Sequence, residues 1–278
     1  MALQGLYVRE ILLYNNVKVK EAHIVGNDIA GSMTWVKEQG IEYINMNSAH
    51  GWVDGHSFEF VKQYPWIKGV WLVTRGNITP LNDLPNLERY GSSSNELKGF
   101  LNFKNLPKLK ELIIKWNPKV YFNFLDCKKL KCLHFYSPPF SSLEFLDSMK
   151  EIEVLEIYKA KKLETLRGLE NLNNLSRLKL YSVPKLKDIS TLEYQVISLK
   201  KLSFELAKVI ENFNVLDKLI NLESFYIYES ASIHSIKFLK KLKNFKYAYI
   251  GTEVLDGDVE YLNEKRIEYK KLKKYKSS

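Results

Sequence analysis

The chain has 278 residues, 42 Lys and Arg against 32 Asp and Glu, and two cysteines, Cys127 and Cys132. Two cysteines supply neither a disulfide framework nor a four-cysteine zinc site, and no apolar run reaches the roughly 18 residues of a membrane-spanning helix. Seven basic and two acidic residues between Glu264 and Ser278 carry half of the net charge of +10, so the remaining residues are too weakly basic to follow a phosphate backbone.

Residues 1–40 contain three element signals without a regular repeat. Val8 to Leu13 has the spacing of an irregular first strand, and Val17 to Ile24 alternates like a second strand. Asp28 to Gln39 has the pattern of a short helix that ends at Gly40. The segment begins without the basic and apolar regions of a signal peptide, and we therefore expect a cytoplasmic protein.

After residue 40, a six-residue phrase of the form L-x-x-L-x-L returns at a nearly fixed spacing. Leu175, Leu178 and Leu180 form a complete copy, and the four copies from Ile152 onward begin 23, 24 and 23 residues apart. The longer spacing between the first two copies places a bulged loop at Asn47 to Ser57. The copies begin at Ile41, Ile67, Leu87 (a weaker copy), Leu109, Leu130, Ile152, Leu175, Leu199, Leu222 and Phe245.

Each copy predicts one strand followed by a short return segment. L-x-L is strand alternation, and the three-residue steps from Leu163 to Leu175 suit a 3₁₀ return with one apolar edge. Neither half can bury that edge alone, so neighbouring coils must stack. The pattern resembles the leucine-rich repeat family, in particular its internalin-like class with repeats of about 22 residues, over residues 41–251.

The resemblance implies an α/β solenoid in the form of a horseshoe or arc, with a parallel β-sheet on the concave side and short 3₁₀ or helical returns on the convex side. We divide the chain into an N-terminal cap (1–40), leucine-rich repeats (41–251) and a C-terminal cap with a basic tail (252–278). A strand at Ile267 to Tyr269, or a helix, is expected to close the end. The tail from Lys265 to Lys276 is either an electrostatic contact or a solvated terminus.

One departure from the family concerns the bend after each strand. Family members usually carry an asparagine three residues after the last strand leucine, where its side chain satisfies backbone groups. Asn117 is the single match, and the bends are therefore expected to use backbone hydrogen bonds, water or proline geometry. The other bends carry Pro138, Ala160, Val183, Ala207, Ser230 and Glu253.

Function on such a scaffold is expected from strand residues that the core does not need. Tyrosine recurs just after the last apolar position of several strands, and tyrosine and tryptophan are enriched at interface hot spots. Tyrosine also favours strands, so a purely structural row of stacked rings is the alternative. The predicted partner-binding residues are Trp71, His134, Tyr136, Glu156, Tyr158, Arg177, Lys179, Tyr181, Glu205, Tyr226, Tyr228, Tyr247 and Tyr249.

These residues predict a non-catalytic monomer that binds another protein on its concave face, with no cofactor. Nucleic acid and anionic membranes are not the expected partners, and a bacterial inhibitor or immunity-type role is one form of the hypothesis. None of the common catalytic motifs is present. The alternative is a metal-dependent hydrolase centred on His50, Asp54 and His56, because two histidines and a carboxylate can bind zinc or iron. The same residue types are also ordinary in a glycine-containing loop.

Overall fold

The computed structural model describes residues 6–94, 96–257 and 268–269. The chain divides into two compact units, residues 1–133 and 134–278. Short strands joined by 3₁₀ turns make up both units, and the described residues contain one α-helix, α1 (Ile29–Glu38). No helix in these ranges combines the length and apolar character needed to span a bilayer.

The strands are mostly five residues long, as expected for a tight repeat. In chain order they are β1 (Val8–Leu12), β2 (Lys18–His23), β3 (Tyr43–Asn47), β4 (Gly69–Val73), β5 (Gly76–Asn77), β6 (Arg89–Ser92), β7 (Leu97–Lys98), β8 (Glu111–Lys115), β9 (Cys132–Tyr136), β10 (Val154–Tyr158), β11 (Arg177–Tyr181), β12 (Lys201–Glu205), β13 (Ser224–Tyr228), β14 (Tyr247–Gly251) and β15 (Glu268–Tyr269).

In the first unit, β1 and β2 form an antiparallel hairpin, and parallel pairing continues from β2 through β3, β4, β6 and β8. The short strands β5 and β7 pair separately. Helix α1 joins β2 to β3, and the Asp28 carboxylate caps it by accepting a hydrogen bond from the Gly31 backbone N–H at 2.8 Å. Met33 and Val36 on this helix are fully buried. The two strands and the helix predicted within residues 1–40 are therefore present.

In the second unit, β10 to β14 pair in parallel with equivalent repeat positions directly opposite one another. Leu155, Leu178, Leu202, Phe225 and Ala248 form one such row, and all five are buried. A slip of one residue would turn this row to the opposite face, so burial of the leucines fixes the register. The phrase spacing predicts this register, and the structure confirms it.

The return segments are 3₁₀ turns, as the three-residue steps predict. The backbone N–H groups of Leu169, Leu172 and Leu175 each donate to the carbonyl three residues earlier, over 2.9–3.1 Å. Residues spaced by three lie on the same edge of such a turn. Leu163, Leu166 and these three leucines are consequently almost completely buried.

At the bends that lack the family's asparagine, backbone groups form hydrogen bonds with the backbone of the next coil. The residue after each of the strands β9 to β13 has a left-handed backbone, with φ between 44° and 56°. Its N–H donates to the carbonyl of the last strand residue in the next coil, over 2.7–3.0 Å. One of the three predicted solutions, backbone bonding, is therefore used at these bends. The residues concerned are Ser137, Lys159, Ser182, Leu206 and Glu229.

Asparagine side chains instead donate hydrogen bonds to backbone carbonyls at the turn that precedes some strands. The side-chain amide of Asn174 donates to the Lys150 carbonyl of the preceding coil, and Asn221 donates to Ile197 in the same way, both at 3.1 Å. Asn86 repeats the contact in the first unit. In this chain these asparagine amides therefore lie before the strand, whereas the family's asparagine follows it.

The C-terminal closing element is a strand at Glu268–Tyr269, which pairs in parallel with β14. The predicted basic tail from Lys265 to Lys276 otherwise lies outside the described residues. The last repeat is also less regular than predicted, because Phe245 is only half-buried whereas the equivalent Leu222 is fully buried.

Candidate functional site

The outward side chains of the second unit form a surface that we call the tyrosine face. In β11 to β13, buried residues alternate with side chains that are partly or fully exposed on the opposite side of the sheet. Strand β10 follows the same alternation, except that its first outward residue, Val154, is buried. Neighbouring strands place these side chains in rows. The face comprises His134, Tyr136, Val154, Glu156, Tyr158, Arg177, Lys179, Tyr181, Lys201, Ser203, Glu205, Ser224, Tyr226, Tyr228, Tyr247, Tyr249 and Gly251.

The first aromatic group on this face is a strip of three tyrosines at the ends of consecutive strands. The rings of Tyr136 and Tyr158 stack with centroids 4.4 Å apart and planes at 7°. Tyr181 follows with its centroid 6.0 Å from Tyr158 and its ring tilted by 44°. Glu205 is directly opposite Tyr181 and interrupts the strip, and Tyr228 is opposite Glu205. The structure thus places these residues in the order that the repeat spacing predicts.

The second aromatic group lies at the β13 and β14 strands. Tyr226 and Tyr249 stack at 4.8 Å with planes at 13°, and Tyr228 lies 6.0 Å from Tyr249. Gly251 makes room for them, because a Cβ atom at this position would lie 2.6 Å from a ring carbon of Tyr228 and 2.8 Å from one of Tyr249. Tyr247, on the same strand, is 38% exposed.

Internal contacts occupy the carboxylates in the middle of the face. The Tyr158 hydroxyl donates a short hydrogen bond to Glu156 Oε2, and His134 Nε2 lies 3.7 Å from the same oxygen. Burial, the hydrogen bond and the charge of Glu156 raise the pKa of Tyr158 well above its usual range. Burial and the Glu205 charge raise the pKa of Tyr226 to about 12. Both hydroxyls therefore stay protonated at neutral pH.

The cations of the face fall into two groups. Lys179 Nζ forms an ion pair with Glu205 at 2.7 Å and lies 5.8 Å from the centre of the Tyr158 ring. Arg177 and Lys201 lie directly opposite each other on β11 and β12. Neither of their side chains has a carboxylate within ion-pair distance among the described residues.

Trp71, the predicted contact residue in the first unit, packs within a local network. Its indole lies against Gly91, where a Cβ atom would be 2.2 Å from the ring. The Arg89 guanidinium carbon lies 5.5 Å from the centre of the Trp71 ring. Trp71 is half-buried by these contacts. It belongs to the sheet of the first unit, whereas the other predicted contact residues lie in the second.

Beside Trp71 lies a buried charge network that sequence reasoning missed. Glu21 is 1% exposed; it forms an ion pair with Arg9 at 2.7 Å and accepts a hydrogen bond from Asn45 at 2.8 Å. Arg89 lies 3.6 Å from Glu21 and 2.9 Å from Glu111. The opposite charges of Arg89 and Glu111 at equivalent repeat positions were an available signal.

The alternative metal site is wrong, because its three side chains have different neighbours. His50 packs against Tyr7, and His56 meets the edge of Trp52 at 5.8 Å. Asp54 accepts hydrogen bonds from Thr74 at 2.6 Å and from the hydroxyl of Ser48, which hold the pKa of its carboxyl well below the usual range. The described residues contain no cluster of three or more potential metal ligands.

His50 instead belongs to an aromatic cluster around a buried histidine. The ring of His23 lies 4.7 Å from that of His50 and 4.9 Å from that of Tyr7, with edge-on geometry in both cases. His23 is 1% exposed, and neither ring nitrogen has a hydrogen-bond partner among the described residues. Burial, helped by the positive charges of His50 and Arg9, lowers the pKa of His23 to about 4.

Solved structures with a similar fold are all built from leucine-rich repeats. An internalin (inlF) from Listeria monocytogenes has a TM-score of 0.55 and 14% identity, over 92% of this chain and 87% of the internalin. A leucine-rich repeat protein from Leptospira interrogans has a TM-score of 0.53 and 14% identity, over 81% of this chain and 70% of that protein. TLR13 in its complex with ssRNA13 has a TM-score of 0.53 and 17% identity, over 77% of this chain and 32% of TLR13.

No protein-family model matches the chain, and no curated protein matches it. The structural matches nevertheless agree with the in-register parallel strands, the 3₁₀ returns and the continuous leucine core of each unit. The chain therefore has the leucine-rich repeat fold that its internalin-like repeat spacing predicts.

Proposed function

We propose that this protein is a non-catalytic binding module that recognises a protein partner through the tyrosine face, on the concave side of the predicted arc. The observation that carries the proposal is the concentration of tyrosines on the outward side of one sheet, opposite the leucine core. Tyrosine brings a large contact area at a low entropic cost, which is why interface hot spots are rich in it. The tyrosines are Tyr136, Tyr158, Tyr181, Tyr226, Tyr228, Tyr247 and Tyr249.

The arrangement of the rings favours binding over a purely structural row. Rings that served only to stack would continue along the whole face, but the strip is interrupted at Glu205. The pairs Tyr136 with Tyr158 and Tyr226 with Tyr249 stack in parallel, whereas Tyr181 and Tyr228 meet their neighbours at 44° and 56°. The other rings keep exposed edges and faces that a partner is able to cover.

A narrower form of the proposal is a bacterial inhibitor or immunity-type protein that acts as a monomer in the cytoplasm. The bacterial internalin and the Leptospira protein with the same fold support a bacterial source. A catalytic role is not favoured, because His50, Asp54 and His56 do not converge. In this form, binding itself is the activity, and the partner is blocked by being covered.

Affinity capture from the source cytoplasm, with quantitative mass spectrometry, tests the proposal. The baits are the wild type, a Tyr158→Ala/Tyr181→Ala double variant and a Lys161→Ala/Glu164→Ala control on an exposed return segment. The proposal predicts a protein that the wild type and the control capture equally and that the tyrosine variant captures at least about tenfold less. Equal capture by all three baits would contradict it.

A further inference from the structure

The charged side chains of the tyrosine face have partners on the face except at one end. Glu156 is occupied by Tyr158 and His134, and Lys179 is paired with Glu205. Each carboxylate in the middle of the face therefore already has a partner. The uncompensated charge lies at the beginning of the strands, where Arg177 and Lys201 are neighbours.

Arg177 and Lys201 are like charges on adjacent strands, and neither forms an ion pair that would compensate their repulsion. They are Cα partners on adjacent strands, and paired strands lie about 4.8 Å apart. Like charges directly opposite each other in a sheet are destabilising. The Glu223 carboxylate forms an ion pair with Lys246 and lies 3.9 Å from Lys200. These two lysines, and Lys201 to a smaller extent, lower the pKa of Glu223. Neither Arg177 nor Lys201 therefore forms an ion pair within 4.0 Å among the described residues.

Small or apolar residues occupy the cross-strand positions next to this pair. Ser224 lies directly opposite Lys201 on the next strand, and Ser203 lies opposite Lys179 in the adjacent row. Val154, opposite Arg177 on its other side, is almost completely buried. Because Val154 is already covered whereas Ser224 stays partly exposed, a partner side chain would reach the two cations from the Ser224 side.

From this arrangement we infer that the partner is a protein with an acidic segment, whose carboxylate binds between Arg177 and Lys201 while its apolar side chains contact the adjacent tyrosines. The inference rests on the proposed function and names the chemistry of the partner. A carboxylate placed there accepts charge-assisted hydrogen bonds from both side chains and removes their mutual repulsion. Free-state repulsion that binding relieves is typical of a functional site rather than of a structural one.

A nucleic acid fits the same face less well. A phosphate backbone needs several cations at regular intervals, and most of its affinity comes from neutralising them. The face offers only Arg177 and Lys201 without an internal counter-ion among its described residues. The carboxylates of Glu156 and Glu205 lie on the same face and would repel a phosphate chain. A protein carboxylate therefore suits the site better.

The first test needs no partner, because it concerns the free protein. Replacing Lys201 with Glu places opposite charges side by side, so the thermal midpoint of K201E should rise by about 1–3 °C at low salt. A structural role for Lys201 predicts the reverse, and a clear fall in the midpoint would overturn the inference. The matched control is K162E on an exposed return segment, where no such rise is expected.

The second test uses random linear peptides displayed on phage and selected on the full chain. The inference predicts peptides enriched in Asp and Glu beside apolar residues. Their affinity should fall at least about tenfold in R177A/K201A and should weaken with added salt. K161A/K162A, which removes two exposed lysines of the same unit, should bind them like the wild type.

The outcomes separate this inference from the proposed function. Peptides that need Tyr158 but bind R177A/K201A normally would overturn the acidic-partner inference and leave the proposed function intact. A selection that yields no peptide sensitive to either set of variants would overturn both. Tighter binding of a fluorescent single-stranded RNA than of any selected peptide, lost in R177A/K201A, would overturn the inference in favour of a nucleic acid.

Discussion

Leu178→Ala should lower the free energy of unfolding by about 3–5 kcal/mol. Leu178 is fully buried and lies in register between Leu155 and Leu202, which are also buried. The change removes about three methylene equivalents at about 0.8 kcal/mol each, which accounts for about 2.4 kcal/mol of transfer free energy. Stacked coils on both sides limit the relaxation of the site, so the residual cavity adds the remainder.

Urea unfolding measures this loss, and hydrogen exchange shows where it acts. Repeat coils contact mainly their neighbours, so protection should fall first at the amides of Lys159 and Ser182, which donate to adjacent coils. The control Lys161→Ala changes an exposed residue and should stay within about 0.5 kcal/mol of the wild type. An unchanged urea midpoint for Leu178→Ala would refute the register of the core.

Three further perturbations follow from buried or crowded groups. Folding lowers the pKa of His23 from 6.5 to about 4, so the neutral imidazole is the form that favours the folded state. The free energy of unfolding should therefore be highest above pH about 6.5 and should fall as the pH decreases towards 4, by at most about 1.4 kcal/mol per pH unit. His23→Phe should flatten that pH dependence in urea unfolding. Glu21→Ala removes the buried carboxylate that Arg9 and Asn45 contact and should cost about 1–3 kcal/mol in chemical unfolding, because the buried Asn45 amide loses its acceptor. Gly251→Ala forces a Cβ against Tyr249 and should cost about 1–3 kcal/mol, with a changed near-ultraviolet circular dichroism signal.

The repeat phrase is sufficient to predict the strands and their register because each of its two spacings corresponds to a structural period, one of the strand and one of the coil. A side-chain period of two separates the core residues from the outward ones, and the long period makes equivalent positions neighbours. The repeat phrase therefore places Tyr158 and Tyr181 on one face, as the structure does. The binding role of that face stays a prediction, as does the assignment of 1–40 and 252–278 as caps.

The contacts that sequence reasoning missed depend on neighbours that aligned columns do not reveal. Lys179, a predicted contact residue, forms an ion pair with Glu205, which is a diagonal neighbour on the next strand. His23 and His50 meet because the N-terminal strands lie beside the loop after β3. Three-dimensional proximity of this kind has no fixed spacing in the sequence.

The backbone conformation of the bends is a second feature that the sequence pattern does not predict. The left-handed bends of the second unit are occupied by residues as different as Ser137, Lys159 and Leu206, so composition carries no signal for them. Left-handed geometry at non-glycine residues is unfavourable locally, and the hydrogen bonds to the next coil offset that cost. The bend was therefore predictable in its need for backbone partners but not in its conformation.

Titration calorimetry with the captured partner tests the central claim most directly. The claim is that the tyrosine face of the second unit binds a protein. Tyr158→Ala and Tyr181→Ala should each weaken binding by at least about 1–2 kcal/mol, because both lie in the middle of the aromatic strip, while Lys161→Ala should bind like the wild type. Equal affinity of the folded tyrosine variants and the wild type would contradict the claim and leave the tyrosines as a structural row.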